Sequence, residues 1–305
     1  MYNVLSTLPT FLPNTDLVQF VQTSKLLGGT QPLYDRLCTI DSPWIDSVRD
    51  GHWGIIERIK IESLMTASVC ASAAEGGQLE VLIWLRELGC PWDEETCSSA
   101  ARGGHFNVLK WLRDNGCPWN EHTCSSAAFG GNFEVLKWAR DNGCPWNVYT
   151  CSSAAAGGHL KILKWLRDNG CPWNEHTCSS AAMNGHFEVL HWARDNGCPI
   201  ILWSCFSYAA WGGQVEVLKW LRGEGCEWDE ELCERAAEGG NLEVLKWLRE
   251  NGCPWNEKVC SYAAWEGYLE VLKWARENGC PWDSSCRSTT YARILDYLND
   301  NGCPK

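Results

Sequence analysis

The 305-residue sequence has no basic run and is short of positive charge overall, with 26 Lys and Arg against 38 Asp and Glu, a net charge of −12. Phosphate binding needs clustered Lys and Arg, so this balance argues against nucleic acid as the main partner. Docking on an anionic membrane surface is disfavoured for the same reason. Long apolar runs are also missing: none approaches the roughly 20 residues a bilayer span requires. The opening residues, MYNVLSTLPT, lack a charged n-region and a long apolar stretch, so no signal peptide is expected. Nowhere does the pattern alternate apolar and polar as a half-buried strand would, and an all-α fold is predicted.

Cysteine and tryptophan, by contrast, are plentiful. Nineteen cysteines without a secretion signal point to free thiols in a reducing compartment, cytoplasmic or nuclear. Their odd number rules out a fully paired monomer. At about 6% they stay below the level that marks a disulfide scaffold. The stretch NGCPWNEHTCSSAA occurs at 115–128 and again, letter for letter, at 169–182. One cysteine series runs Cys90, Cys117, Cys144, Cys171, Cys198, Cys226, Cys253, Cys280, in steps of 27 with a single step of 28. A second runs Cys70, Cys97, Cys124, Cys151, Cys178, Cys205, Cys233, Cys260, and its one long step falls in the same unit. Counting places the extra residue between Cys205 and Ala209-Ala210. A fixed period of this length means a solenoid or an array.

Each unit reads as two helices. In WDEETCSSAARGGHFNVLKWLRDNGCP, Asp93 is an N-cap and Glu94 and Glu95 sit where the helix dipole favours acids. The cap position is held by Asn120, Asn147, Asn174, Asp229 and Asn256 in other units. The first helix is short and small-faced, with Cys97, Ala100 and Ala101. Gly103 and Gly104 break it. The second carries Phe106, Val108, Leu109, Trp111 and Leu112 at helical spacing. Gly116 supplies a left-handed stop, with Pro118 beyond it. Small cysteines and alanines would let first helices pack closely, while leucines and tryptophans fill between second helices.

A metal or redox role for the cysteines is the competing reading. Cys117, His122 and Cys124 could meet at one ion, but His122 has a counterpart only at His176, and no CxxC pair exists. Nothing beside the cysteines is consistently cationic, so no low-pKa thiol is signalled. No metal and no cofactor is therefore assigned. No nucleophile–base pair, acid pair or phosphate loop stands apart from the scaffold pattern, and no enzyme is expected.

The units resemble ankyrin repeats. AARGGHFNVLKWLRDNGCPWN runs parallel to that family's Ala-Ala pair, Gly-His turn, apolar second helix and Asn-Gly stop, and the likeness recurs over 41–305. Ankyrin units usually span about 33 residues with a T-P-L-H corner. Here the unit is 27 and the corner reads ETCS. The missing residues fall between Asn120 and Cys124, where ankyrin repeats project a β-hairpin finger. The resemblance implies an ankyrin-like helix-pair solenoid of about ten units with reduced or absent fingers. A degenerate first unit occupies 41–69, with Gly51-His52-Trp53 as its turn. A truncated capping unit occupies 280–305, and Asp296, Asn299 and Asp300 give it a polar surface. Histidines such as His105 and His159 match the ankyrin Gly-His turn, where a ring nitrogen often bonds backbone.

Residues 1–40 do not repeat. Leu8, Leu12 and Pro13, then Asp16-Leu17, Ser24-Lys25 and Leu33-Tyr34, resemble an F-box, with Tyr34 where that family often has Trp. The resemblance implies docking of Leu8, Leu12, Pro13 and Leu17 to a Skp-type adaptor of a cullin ubiquitin ligase. The alternative is a helical cap on the first repeat.

Ankyrin-type solenoids imply a protein partner held on the concave face, and the chain itself is expected to be a monomer. Without fingers, that face must come from the first helices and their turns. Repeated positions that vary within the chain are the candidates, because the scaffold does not dictate them. Those that carry large or charged side chains are Arg102, Phe129, Tyr149, Met183, Trp203, Tyr208, Trp211, Arg235, Tyr262 and Trp265. Trp, Tyr and Arg are the usual interface anchors. Trp111 and its equivalents are expected in the core, and Trp92 and its equivalents over the turns.

Overall fold

The computed structural model describes residues 66–305. The F-box-like stretch and most of the degenerate first unit lie outside the described residues. Among the described residues there are seventeen α-helices and no strand, so the β-hairpin finger is absent. First helices are α1 (Ala67–Glu75), α3 (Glu94–Gly103), α5 (Glu121–Phe129), α7 (Val148–Ala156), α9 (Glu175–Met183), α11 (Leu202–Trp211), α13 (Glu230–Glu238) and α15 (Glu257–Trp265). Each is followed by its second helix: α2 (Leu79–Glu87), α4 (Phe106–Asp114), α6 (Phe133–Asp141), α8 (Leu160–Asp168), α10 (Phe187–Asp195), α12 (Val215–Gly223), α14 (Leu242–Glu250) and α16 (Leu269–Glu277). In the last unit the first helix shrinks to a 3-10 turn, Ser284–Ser288, before α17 (Ala292–Asp300). That contraction accounts for the shorter terminal unit.

The caps form as the sequence predicts. Asp93, Asn120, Asn147, Asn174, Asp229 and Asn256 each accept a backbone N–H two residues on, at 2.9–3.2 Å. Gly116 has φ +82°, and Cys117 N–H returns to Leu112 C=O at 2.9 Å. Close packing of first helices follows from their small faces. Every first helix lies against the next, from α1 on α3 through α13 on α15, whereas second helices stay farther apart. Cys97, Ala100 and Ala101 have no exposure, nor do their equivalents such as Cys151, Ala154 and Ala155. Leu109, Leu112, Leu163 and Leu166 are as fully buried. The second-helix tryptophans expected in the core are only half-buried, packed on its edge.

Three sets of polar contacts, repeated along the chain, brace the stack within and between units. The first spans about one period. His105 Nε2 meets Glu75 C=O at 2.8 Å, His159 meets Phe129 C=O at 3.0 Å, and His186 meets Ala156 C=O at 3.0 Å. Asn132 does the same work at Arg102 C=O, 2.7 Å away. The approach is so close that a Cβ on Gly157 would stand 2.3 Å from the Phe129 carbonyl oxygen, which is why small residues precede the latch. In the second set, the cysteine of every described Gly-Cys corner except Cys226 donates its thiol to the carbonyl at the cap position of its own unit, as Cys144 does to Asn120 at 3.3 Å. In the third, an arginine near the end of a second helix lies over the next turn tryptophan. The guanidinium carbon is 3.9 Å from the Trp92 ring centre for Arg86 and 4.2 Å from the Trp146 ring centre for Arg140. That tryptophan meets the next second-helix tryptophan edge to face, Trp92 to Trp111 at 5.8 Å.

Candidate interaction surface

All three contacts lapse in one unit, the 28-residue one. Ile200 stands where other units have the turn tryptophan, so Arg194 turns away to Glu224 at 3.1 Å and Asp195 at 3.2 Å. Ile201 stands where others have the Asx cap and makes no side-chain cap. Gln214 replaces the latch histidine and bonds Gly212 C=O of its own unit at 2.7 Å. The inserted residue itself is absorbed smoothly. Counting by sequence puts it after Cys205, but α11 runs as ten continuous helical residues. Measured back from Ala209-Ala210, Phe206 holds the position cysteine occupies elsewhere and Cys205 holds that of Thr177, both without exposure. The extra residue is therefore accommodated at the start of the helix.

Beside this unit lies a cleft of about 520 Å³, lined by Met183 from α9, Trp203, Ser204, Ser207, Tyr208 and Trp211 from α11, and Arg235 and Glu238 from α13. Half of the ten candidate partner-binding residues thus converge: Met183, Trp203, Tyr208, Trp211 and Arg235. Tyr208 is 43% and Trp211 39% exposed, although both are large and apolar. Arg235 spans the rim, bonded to Glu238 at 2.7 Å and Glu231 at 3.1 Å. Glu238, and then Glu231, push its guanidinium above its ordinary range.

The other candidates are not part of this cleft. Arg102 and Phe129 pair with each other on α3 and α5, guanidinium to ring at 5.9 Å. Tyr149 stands exposed at the start of α7. Tyr262 is half-buried on α15, where Trp265 is the most exposed large apolar residue described, at 62%. Sequence reasoning missed Glu238 as a lining residue, although it holds the same variable position as Met183 and Trp211. It also missed a cleft of about 570 Å³ near the C-terminal end. There Tyr268 and Tyr291 stand in the latch position over Gly240 and Gly267.

The cysteines pack as buried thiols. Of the eighteen described, only Cys226 is less than fully buried. Its corner is the one whose thiol has no carbonyl partner; the equivalent Cys198 bonds Asn174 C=O at 3.3 Å. Within a regular unit the two thiols bond each other. The bond to Cys144 pushes the Cys124 thiol up, and burial raises it further. Burial, helped by the nearby Cys198 and Cys226, pushes Cys205 up to about 12. The trio weighed and set aside in the sequence as a metal set is split by burial: His122 is exposed while Cys117 and Cys124 are buried. Among the described residues no three His, Cys, Asp or Glu side chains are placed to hold one ion. Native alkylation with N-ethylmaleimide is expected to label Cys226 first among these eighteen, the others waiting for local unfolding. Peptide mapping reads the order. Labelling of Cys124 as fast as Cys226 would contradict the packing role and favour reactive thiols.

Residues 178–222 and 233–289 match the family model described as ankyrin repeats (many copies). Over those two segments the chain is similar to ankyrin repeats. The matched segments contain α11 and the greater part of α9 and α13, the helices that line the cleft. Among solved structures, the chain is similar to the human ASB11 ankyrin repeat domain, at 19% identity and a TM-score of 0.39, covering 52% of this chain and 84% of that one. No curated protein matches. Among the described residues no helix is long and apolar enough to cross a membrane.

Proposed function

We propose that this protein is an interaction scaffold that binds a partner protein across its first-helix face, centred on the Met183–Trp203–Tyr208–Trp211–Arg235 cleft. Ankyrin repeats indicate a scaffold for protein–protein interaction, and a rigid stack of units offers an extended surface. The observation that carries the location is the coincidence in one unit of three lost contacts and a set of exposed aromatics. A residue that neither caps, latches nor fills the core is free to serve recognition, and exposed Trp and Tyr beside Arg are the usual anchors. The patches at Arg102–Phe129, Tyr149 and Tyr262–Trp265 lie on other first helices and extend the same ribbon.

The finer reading, a substrate receptor of a cullin ubiquitin ligase, is supported by the F-box resemblance of residues 1–40. Affinity capture compares three proteins: the full chain, a chain lacking residues 1–40, and the Tyr208→Ala/Trp211→Ala variant. A Skp-type adaptor is expected with the full chain and the aromatic variant, and its loss is expected when 1–40 are removed. Recovery of the same proteins with and without 1–40, and no adaptor, would make that segment a cap and leave a plain scaffold.

A further inference from the structure

The chemistry of the cleft narrows what can occupy it. Seven turn tryptophans in this chain each have an arginine stacked over them, between Arg86–Trp92 at 3.9 Å and Arg167–Trp173 at 4.2 Å. Among the described residues no cation lies over Trp203, Tyr208 or Trp211. Tyr208 and Trp211 present exposed, electron-rich rings at the cleft, while Trp203 is half-buried and meets Phe206 edge to face at 6.3 Å. The next first helix, which lines the cleft through Arg235 and Glu238, is acidic as a whole. α13 carries Glu230, Glu231, Glu234 and Glu238 against the single cation Arg235, more net negative charge than any other first helix, while α11 carries no charge at all. Lys258 offsets Glu234, which is buried and also held by Asn256 Nδ2 at 2.8 Å. Glu231 and Glu238 share one guanidinium, so two carboxylates at the rim are met by one positive charge.

Exposed aromatic rings next to a helix of net negative charge suit a cation with an alkyl stem. We infer that the cleft receives a linear segment of a partner protein in which an arginine or lysine stacks on the aromatic residues of α11 while neighbouring basic residues face the glutamates of α13. An acidic segment would meet like charge on α13. An uncharged apolar one would strip water from the Arg235 ion pairs with Glu231 and Glu238 and offer no charge in return, which is costly. This inference rests on the proposed docking at the cleft and adds the charge of the occupant.

The test pans a random peptide library displayed on phage against the full chain, then measures selected synthetic peptides by fluorescence anisotropy. The expected result is enrichment of Arg- and Lys-rich peptides with affinities that fall as salt rises. Glu231→Lys with Glu238→Lys should weaken them about tenfold, and Trp211→Ala about 30-fold. All three positions are partly exposed, and thermal melts confirm that the variants fold; Glu238→Gln is the milder check. Acidic or neutral winners that are lost with Trp211→Ala would overturn the charge inference and leave the cleft standing. Basic winners indifferent to all these variants would overturn the cleft and the inference together, as would a library from which nothing is enriched.

Discussion

Leu163→Ala is expected to lower the free energy of unfolding by about 3 kcal/mol, a size typical of a leucine deleted from a closed core. Leu163 lies on α8 without any exposure, in the middle of the stack. Each unit is too small to bury its own apolar faces, so its leucines are covered partly by the neighbours. A cavity there weakens the unit and both junctions. The loss reads out as a lower urea midpoint. Trp265→Ala is the control: that ring is 62% exposed and caps no junction, so the change should stay within about 0.5 kcal/mol. If Leu163→Ala moved the midpoint no more than Trp265→Ala, stacking of second-helix leucines would not be what holds the array together.

The largest expected effect on binding comes from Tyr208→Ala combined with Trp211→Ala. The pair should lower affinity for the captured partner about 100-fold, since each ring at a desolvated contact is worth upwards of about 2 kcal/mol. The melt should scarcely move, because both rings are substantially exposed and neither belongs to the buried cluster. The contrast between the two readouts is the point. A structural role for these rings would lower stability and binding together; a recognition role separates them. Surface plasmon resonance on wild type and variant, with melts run on the same samples, distinguishes the two.

Much of the fold was legible because each unit repeats its own instructions. Asx caps, Ala-Cys faces, Gly-Gly breaks and Asn-Gly stops recur at one spacing, so an ambiguous signal in one unit is resolved by the next. The absent finger followed from the short Asn120–Cys124 interval. What the sequence hid was contact between units. The arginine–tryptophan stack joins residues six apart whose side chains meet only after a helix has ended and a turn has formed. The tryptophans of the second helix were expected deep in the core. They sit at its edge, where six of them also meet a turn tryptophan of their own unit, as Trp138 meets Trp119 at 5.8 Å. For the site, variation between units picked out Met183, Trp203, Tyr208, Trp211 and Arg235, which the fold brings to one cleft. It also picked out Arg102, Phe129, Tyr149, Tyr262 and Trp265, which lie apart, because variation shows only where the scaffold is indifferent. The inserted residue was misplaced for a related reason. The cysteine series suggested a fixed anchor, but burial fixes the helix from its Ala-Ala end, and Phe206 takes the buried position.

Hydrogen exchange on the full chain, alone and with its captured partner, tests the central claim most directly. The account predicts added protection concentrated in α9, α11 and α13, with the second helices α10, α12 and α14 unchanged. Protection confined to the second-helix side, or protection that leaves α11 untouched, would contradict it.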